Sequence, residues 1–192
     1  MDPVTICNMA MGWLGAKKIS TIDVNEASSV EEELCSVQFP MAVRSTLEAR
    51  AWLFATGSID LGAPADSGDL EFPTQFTLPT TVIRPLACDD GSGEWSMRWE
   101  RRGDKIVTEA TDVCKLRAVS YTEDVKRWTP TFCRAVAARI AADTTGPLTE
   151  GTVSSEKMEA KYLRELAQAG VFDGQQGSSR QFRNPNSAAL RR

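Results

Sequence analysis

The chain has 192 residues, 42% of them hydrophobic, and carries a net charge of −4 from 22 basic and 26 acidic side chains. That length supports one domain with a sizeable core, or one domain carrying an insertion. There is no histidine and no Cys-x-x-Cys pair, which argues against zinc, against Ser-His-Asp or Cys-His catalysis and against a histidine pH switch.

The charge is unevenly placed. Residues 171–192 hold Arg180, Arg183, Arg191 and Arg192 against Asp173, while residues 1–170 hold 18 basic and 25 acidic side chains. An acidic body repels phosphate, so a general nucleic-acid binder is disfavoured; a basic tail suits an acidic protein surface. Five cysteines (Cys7, Cys35, Cys88, Cys114, Cys133) are far apart and mostly lie in apolar periodic stretches, as buried small hydrophobes do. No apolar run approaches the roughly 18 residues of a membrane span. Met1-Asp2-Pro3 carries no basic leader, and Lys17-Lys18 follow the apolar stretch instead of preceding it, so folding in a reducing cytoplasm is expected.

The elements follow in chain order. Asp2-Pro3 reads as a cap with proline at the first helical position, Ile6, Ala10, Trp13 and Leu14 share a face, and Gly15 stops a helix over 3–14. Residues 16–27 connect, with Ile19 and Ile22 turned inward. Ser29-Val30-Glu31-Glu32 is a capping box. Val30, Leu34, Val37 and Met41, then Leu47 and Ala51, give the second helix its expected buried stripe, with a kink or split at Pro40. Residues 57–75, rich in Gly, Ala, Pro, Asp and Ser, read as an exposed loop. Strands are expected over 76–78, 81–84, 86–88, 94–100, 105–108 and 113–121, separated by turns at Asp89–Gly93 and Arg102-Gly103-Asp104. Thr129-Pro130 opens a third helix with the stripe Phe132, Cys133, Val136, Ala137, Ile140 and Ala141, ended by Gly146-Pro147. A fourth helix over 152–169 places Met158, Tyr162, Leu166 and Ala169 on one face, and Gly170 closes it. Residues 171–192 offer little to bury and are expected to be disordered alone.

The expected fold class is therefore α+β: a four-helix bundle-like domain (residues 1–56 and 122–170), an inserted loop and small antiparallel β-sheet domain (57–121), and an extended C-terminal tail (171–192).

Candidate chemistry is sparse. Asp89–Glu94 and Asp66–Asp69 are acidic turns without the alternating oxygen spacing of a calcium loop. Asp143-Thr144-Thr145-Gly146 carries an aspartic-protease-like signature, but it sits at a helix end and has no second copy to form a dyad. Gly12–Lys18 lacks the residue order of a phosphate loop. Five scattered tryptophans suit core and interface anchoring better than base stacking. Trp95, Met97 and Trp99 fall on one face of the 94–100 strand with Arg98 beside them. That composition fits a protein contact, and it fits equally a sheet face packed on a small core.

A family resemblance spans most of the chain. Ile6–Ala10, Leu14-Gly15-Ala16 and Ile19–Asp23 are similar to the opening helix and turn of the tail tubular protein A family of short-tailed bacteriophages. Glu33-Leu34-Cys35 to Pro40 and Trp52–Thr56 resemble its long helix and exit, and Phe76–Pro79 to Arg84 its entry into a sheet. Leu116–Tyr121, Pro130-Thr131-Phe132, Ala135–Ala142 and Pro147-Leu148-Thr149 resemble its last strand and third helix. Residues 57–71 and those after Gly170 match nothing in the family.

The resemblance implies a virion structural protein, not an enzyme and without cofactors. It is a head-to-tail adaptor, assembled in the host cytoplasm, that forms a ring of commonly twelve copies under the portal in the neck of the virion. It helps retain packaged DNA, which passes through without sequence-specific binding, and presents a platform for the tail nozzle or tail tube protein; no membrane is involved. On that expectation Arg180, Phe182, Arg183, Leu190, Arg191 and Arg192 of the tail bind the portal, and Trp95, Met97, Arg98 and Trp99 meet the tail partner. A head- or tail-completion connector of a long-tailed phage is the alternative; an enzyme or a stand-alone DNA-binding module fits the composition less well.

A chain lacking residues 175–192 is expected to keep its fold and lose portal binding, measured by co-sedimentation with portal rings; undiminished binding would remove the tail's assigned role.

Overall fold

A computed structural model of the protein describes residues 1–109, 112–122, 124–149, 151 and 153–177. It is mixed α+β, with four helices and two small antiparallel sheets. The helices are α1 (Pro3–Leu14), α2 (Val30–Ala49), α3 (Pro130–Thr149) and α4 (Ser155–Gly174). Between α2 and α3 lie β1 (Thr56–Leu61), β2 (Ala65–Asp66), β3 (Thr74–Thr77), β4 (Val82–Asp89), β5 (Trp99–Arg102), β6 (Lys105–Thr108) and β7 (Cys114–Ser120).

The helix starts are set locally. Asp2 accepts from the Thr5 N–H at 2.8 Å, with Pro3 at the first position. Gly15 takes a left-handed φ of 71° and ends α1, its N–H donating to Met11 O. Ser29 Oγ accepts from Glu32 N–H at 3.3 Å. The return half of the expected capping box is replaced: the Glu32 carboxylate accepts from Ser20 (N 3.0 Å, Oγ 2.8 Å) and from Ser28 (N 2.9 Å, Oγ 3.0 Å). Glu32 thereby staples the 16–29 connector to the first turn of α2. Asn8 does the same from α1, bonding both backbone groups of Ile19 at 2.8 and 3.0 Å.

The core is centred on α3. Its Phe132, Cys133, Val136, Ala137, Ile140 and Ala141 are buried as the sequence predicts, and so are Ala135 and Ala138. Helices α1, α2 and α4 all pack on it. An aromatic chain runs through the junction, with ring centroids separated by 6.3 Å (Phe39–Trp128), 5.2 Å (Trp128–Phe132), 5.0 Å (Phe132–Trp52) and 4.9 Å (Phe132–Phe54). Trp52 donates from its ring nitrogen to Thr46 O at 2.8 Å, so its one polar atom is satisfied in the core.

Several sequence expectations are corrected. Helix α2 buries Leu47 as expected but otherwise turns its other side inward: Cys35, Phe39, Ala42 and Val43 are buried, while Val30, Val37 and Met41 are 60, 54 and 61% exposed and Ala51 is exposed past the helix end. The helix carries two apolar stripes, and the one carrying Cys35 and Phe39 meets α3. Pro40 lies inside an unbroken α2, and Pro147 inside an α3 that continues to Thr149. Near Pro147 the hydroxyls of Thr144, Thr145 and Thr149 donate to carbonyls four residues back, at 2.8, 2.5 and 2.7 Å, adding bonds where proline removes one. Helix α4 passes Gly170 and runs to Gly174. The guanidinium of Arg50 lies where a Cβ on Gly170 would fall, so glycine is there for close approach and not for a stop.

The strand region forms two sheets, not one. Strands are ordered β1-β7-β4 in the first and β2-β3-β6-β5 in the second. β1 lies within the stretch expected to be an exposed loop; it pairs antiparallel with β7 from Thr56↔Val119 to Leu61↔Cys114. Strands over 81–84 and 86–88 merge into β4, which pairs with β7 through two irregularities, one of them at Pro85. β7 joins two cores. Val119 enters the helical core, and Cys114, Leu116 and Ala118 enter a second cluster with Leu61, Phe76, Val82, Cys88 and Ile106. Arg84 donates to Glu48 O at 3.2 Å, and the Arg44 guanidinium lies 4.5 Å over the Tyr121 ring, clasping the sheet to α2.

Two predictions follow from this packing. Phe132→Ala removes the hub of the aromatic chain and is expected to cost about 3–5 kcal/mol in denaturant unfolding. The Glu32 carboxyl is lowered from its ordinary value to about 2, first by the Ser20 and Ser28 backbone N–H bonds and then by their hydroxyls. A depressed carboxyl stabilises above its unfolded value and loses that contribution as pH falls through the folded one. Glu32→Gln is therefore expected to lower the melting temperature at pH 7, and the gap from the native chain should close between about pH 4.5 and 2.

Candidate interaction surfaces

Catalytic candidates are accounted for structurally. Among the described residues no group of three or more His, Cys, Asp or Glu side chains could hold a metal ion. Asp143 lies within α3 and pairs with Arg139, which also reaches Glu159 at 3.2 Å; Thr144 and Thr145 are buried and bonded to their own helix. The Asp143–Gly146 signature is thus ordinary helix. The acidic turns close on themselves: Asp89 accepts from Gly93 N–H at 3.0 Å and Asp90 from Ser92 N–H at 3.0 Å, while Asp66 accepts from Gly68 N–H at 2.9 Å. Gly12–Lys18 is the last turn of α1, its Gly15 cap and the start of the connector.

All five cysteines are free and buried. The Cys7 thiol of α1 is coupled to that of Cys35 of α2, and Cys88 of β4 to Cys114 of β7. The partner sulfur, then burial, pushes the Cys7 and Cys88 thiols far up, so both stay protonated. Burial pushes the Cys133 thiol up to about 11. None is an exposed thiolate nucleophile.

The segment carrying Trp95, Met97, Arg98 and Trp99 is less regular than expected. Only Trp99 belongs to β5; Trp95 is in a turn, and Met97 makes an isolated bridge to Cys88. Burial still alternates, with Trp95, Met97 and Trp99 half-buried and Arg98 exposed. Met97 and Trp99 pack on the second core, so this face is partly consumed inside the molecule. Arg98 pairs with Glu71 and, at 3.2 Å, with Glu109. Together Arg98 and Arg102 hold Phe72 between guanidinium groups 5.4 and 5.6 Å from its ring. That clamp, with Arg102 on Asp69 at 2.5 Å, orders the 67–73 segment against β5. Arg180, Phe182, Arg183, Leu190, Arg191 and Arg192 lie outside the described residues.

Among the exposed apolar side chains, one set lies on helices. Val30, Val37 and Met41 of α2 and Leu163 and Val171 of α4 are all more than half exposed. On α4 the opposite side is firmly held. Glu165 accepts from Arg134 at 3.0 and 2.9 Å, and that bond holds its carboxyl below the usual range. Lys161 sits 4.1 Å over the Trp13 ring, tying α4 to α1. Asp173 accepts from Leu53 N–H at 2.8 Å, anchoring the last turn of α4 to the chain leaving α2. No periodicity in the sequence singles out Asp173, because its partner is 120 residues away. No helix of the described residues is long and apolar enough to cross a membrane.

A scan against protein-family models finds none that matches this chain, and a search of curated proteins finds no significant match.

With every thiol buried, an aromatic disulfide reagent is expected to leave the native protein unreacted on the minute scale and to titrate all five cysteines once the chain is unfolded; a fast-reacting thiol in the native state would contradict the packing described.

Proposed function

We propose that the protein is a structural component of a bacteriophage virion, a head-to-tail adaptor that assembles as a ring under the portal, helps retain packaged DNA and carries the tail. In this reading α1–α4 form the bundle-like adaptor body, the two sheets are an insert projecting from it, and the C-terminal segment is the portal-binding tail. The protein then works by contact, with no catalytic step.

The observation that carries the reading is the order of the family-like segments along the fold. Ile6–Ala10 falls in α1, Glu33–Pro40 in α2, and Trp52–Thr56 on the turn into β1. Phe76-Thr77 falls in β3, Leu116–Ser120 in β7 and Ala135–Ala142 in α3. Two further features support it. The five cysteine thiols are buried, and Val30, Val37 and Met41 of α2 with Leu163 and Val171 of α4 leave apolar surface on two helices, as an assembly subunit needs.

The test is the mass of the protein alone and mixed with the portal ring from the same genome. One copy bound per portal subunit is expected. No association, with empty or DNA-filled portals, would discard the adaptor role in favour of a completion connector of a long-tailed phage.

A further inference from the structure

Helix α2 presents Val30, Leu34, Val37 and Met41 on the side opposite its buried face. At 100° per residue these four fall within about 60° of one another. Three are more than half exposed, and Leu34 is half-buried. Helix α4 repeats the arrangement: Ala160, Leu163, Ala167 and Val171 are exposed, opposite the Tyr162, Glu165, Ala169 and Asp173 face that packs inward. Each stripe spans about 16 Å of helix. An apolar stripe of this length, repeated on a second helix of one small protein, exceeds the scattered single hydrophobes of an ordinary surface.

The rims of the two stripes differ in charge. Around the α2 stripe stand Glu31, Glu33 and Glu48 with Arg44, and the Arg44 guanidinium is already placed over Tyr121. Around the α4 stripe stand Lys157 and Arg164 with Glu156, while Glu159 and Lys161 are engaged with Arg139 and Glu165. The α2 rim is therefore net negative and the α4 rim net positive. Two α2 stripes brought face to face would oppose glutamates, whereas α2 against α4 matches length, apolarity and sign.

We infer that the α2 stripe of one copy docks on the α4 stripe of a second copy, in a head-to-tail contact. Such a contact leaves one free face at each end, so it propagates from copy to copy and closes where the rotation between copies allows. The inference builds on the reading of the chain as a ring subunit and assigns that ring its neighbour interface. Val37 and Leu163 lie near the middle of the stripes, where truncation or charge is most damaging to a protein interface.

The experiment uses the full chain with Val37→Cys, Leu163→Cys or both, treated with a short bismaleimide. It is run on the concentrated protein alone and on the portal-bound complex. The native thiols are buried, so the unsubstituted chain is the blank. The double variant should give a ladder above the dimer, an equimolar mixture of the single variants should stop at dimer, and neither single variant alone should cross-link. In addition, Val37→Asp, at an exposed position, should leave the monomer folded by circular dichroism and weaken self-association at least about tenfold. Dimers from Val37→Cys alone would replace the head-to-tail contact with a two-fold one. Intrachain cross-links only, or none in either state, would overturn the contact. Full portal binding without the ladder defeats this interface but not the adaptor role; a ladder without portal binding does the reverse.

Discussion

Helix α3 has almost no place to put a solvent face along its first three turns. From Phe132 to Ala141 every residue except Arg134 and Arg139 is buried. A helix that is apolar nearly all round is stable only when other elements surround it. The requirement is met on three sides by α1, α2 and α4. The small side chains Ala135, Ala137, Ala138 and Ala141 allow close approach, and Phe132 fills the space left between α3 and the exit from α2. The two arginines that escape burial are put to use, Arg134 on Glu165 and Arg139 on Asp143 and Glu159, so the edges of the buried helix are closed by ion pairs to α4 and within α3.

The sheet region depends on that centre through β7. Because successive residues of a strand point to opposite faces, β7 can give Val119 to the helical core and Cys114, Leu116 and Ala118 to the second cluster. The sheets are thereby built onto the helices by shared side chains and not hung on a linker. Arg84 and Arg44 reinforce the same seam from the rim. Contacts made by the sheets and by the helices then keep a fixed relation.

Helix α2 shows where reading the pattern stops short. Its apolar residues form two stripes on opposite sides, and 3.6-residue periodicity identifies both without ranking them. The stripe of Val30, Leu34, Val37 and Met41 is the more hydrophobic to the eye. The inward one includes Glu32, Cys35 and Thr46, residues that look polar until their partners are known: Ser20 and Ser28 for Glu32, Cys7 for Cys35, and the Ala42 carbonyl for Thr46. Burial of such groups is permitted only where partners satisfy them. β1 escaped notice for a related reason: Gly57, Ser58 and Asp60 have little strand preference of their own, and pairing along β7 overrides it.

By itself, then, the sequence determined the local features: the Asp2 and Ser29 caps, the left-handed Gly15 stop, the start of α3 at Thr129-Pro130, the acidic turns, the order of helices around a strand-rich middle, and the lack of histidine chemistry. Each is decided by groups within a few residues of one another, where covalent geometry limits the choices. The tertiary structure alone decided which stripe of α2 faces inward, that the strands divide into two sheets, that α4 continues past Gly170 to place Asp173 on the Leu53 amide, and that Met97 and Trp99 rest on a core. Those outcomes turn on partners dozens of residues distant, and only the folded chain brings such partners within hydrogen-bonding or packing distance.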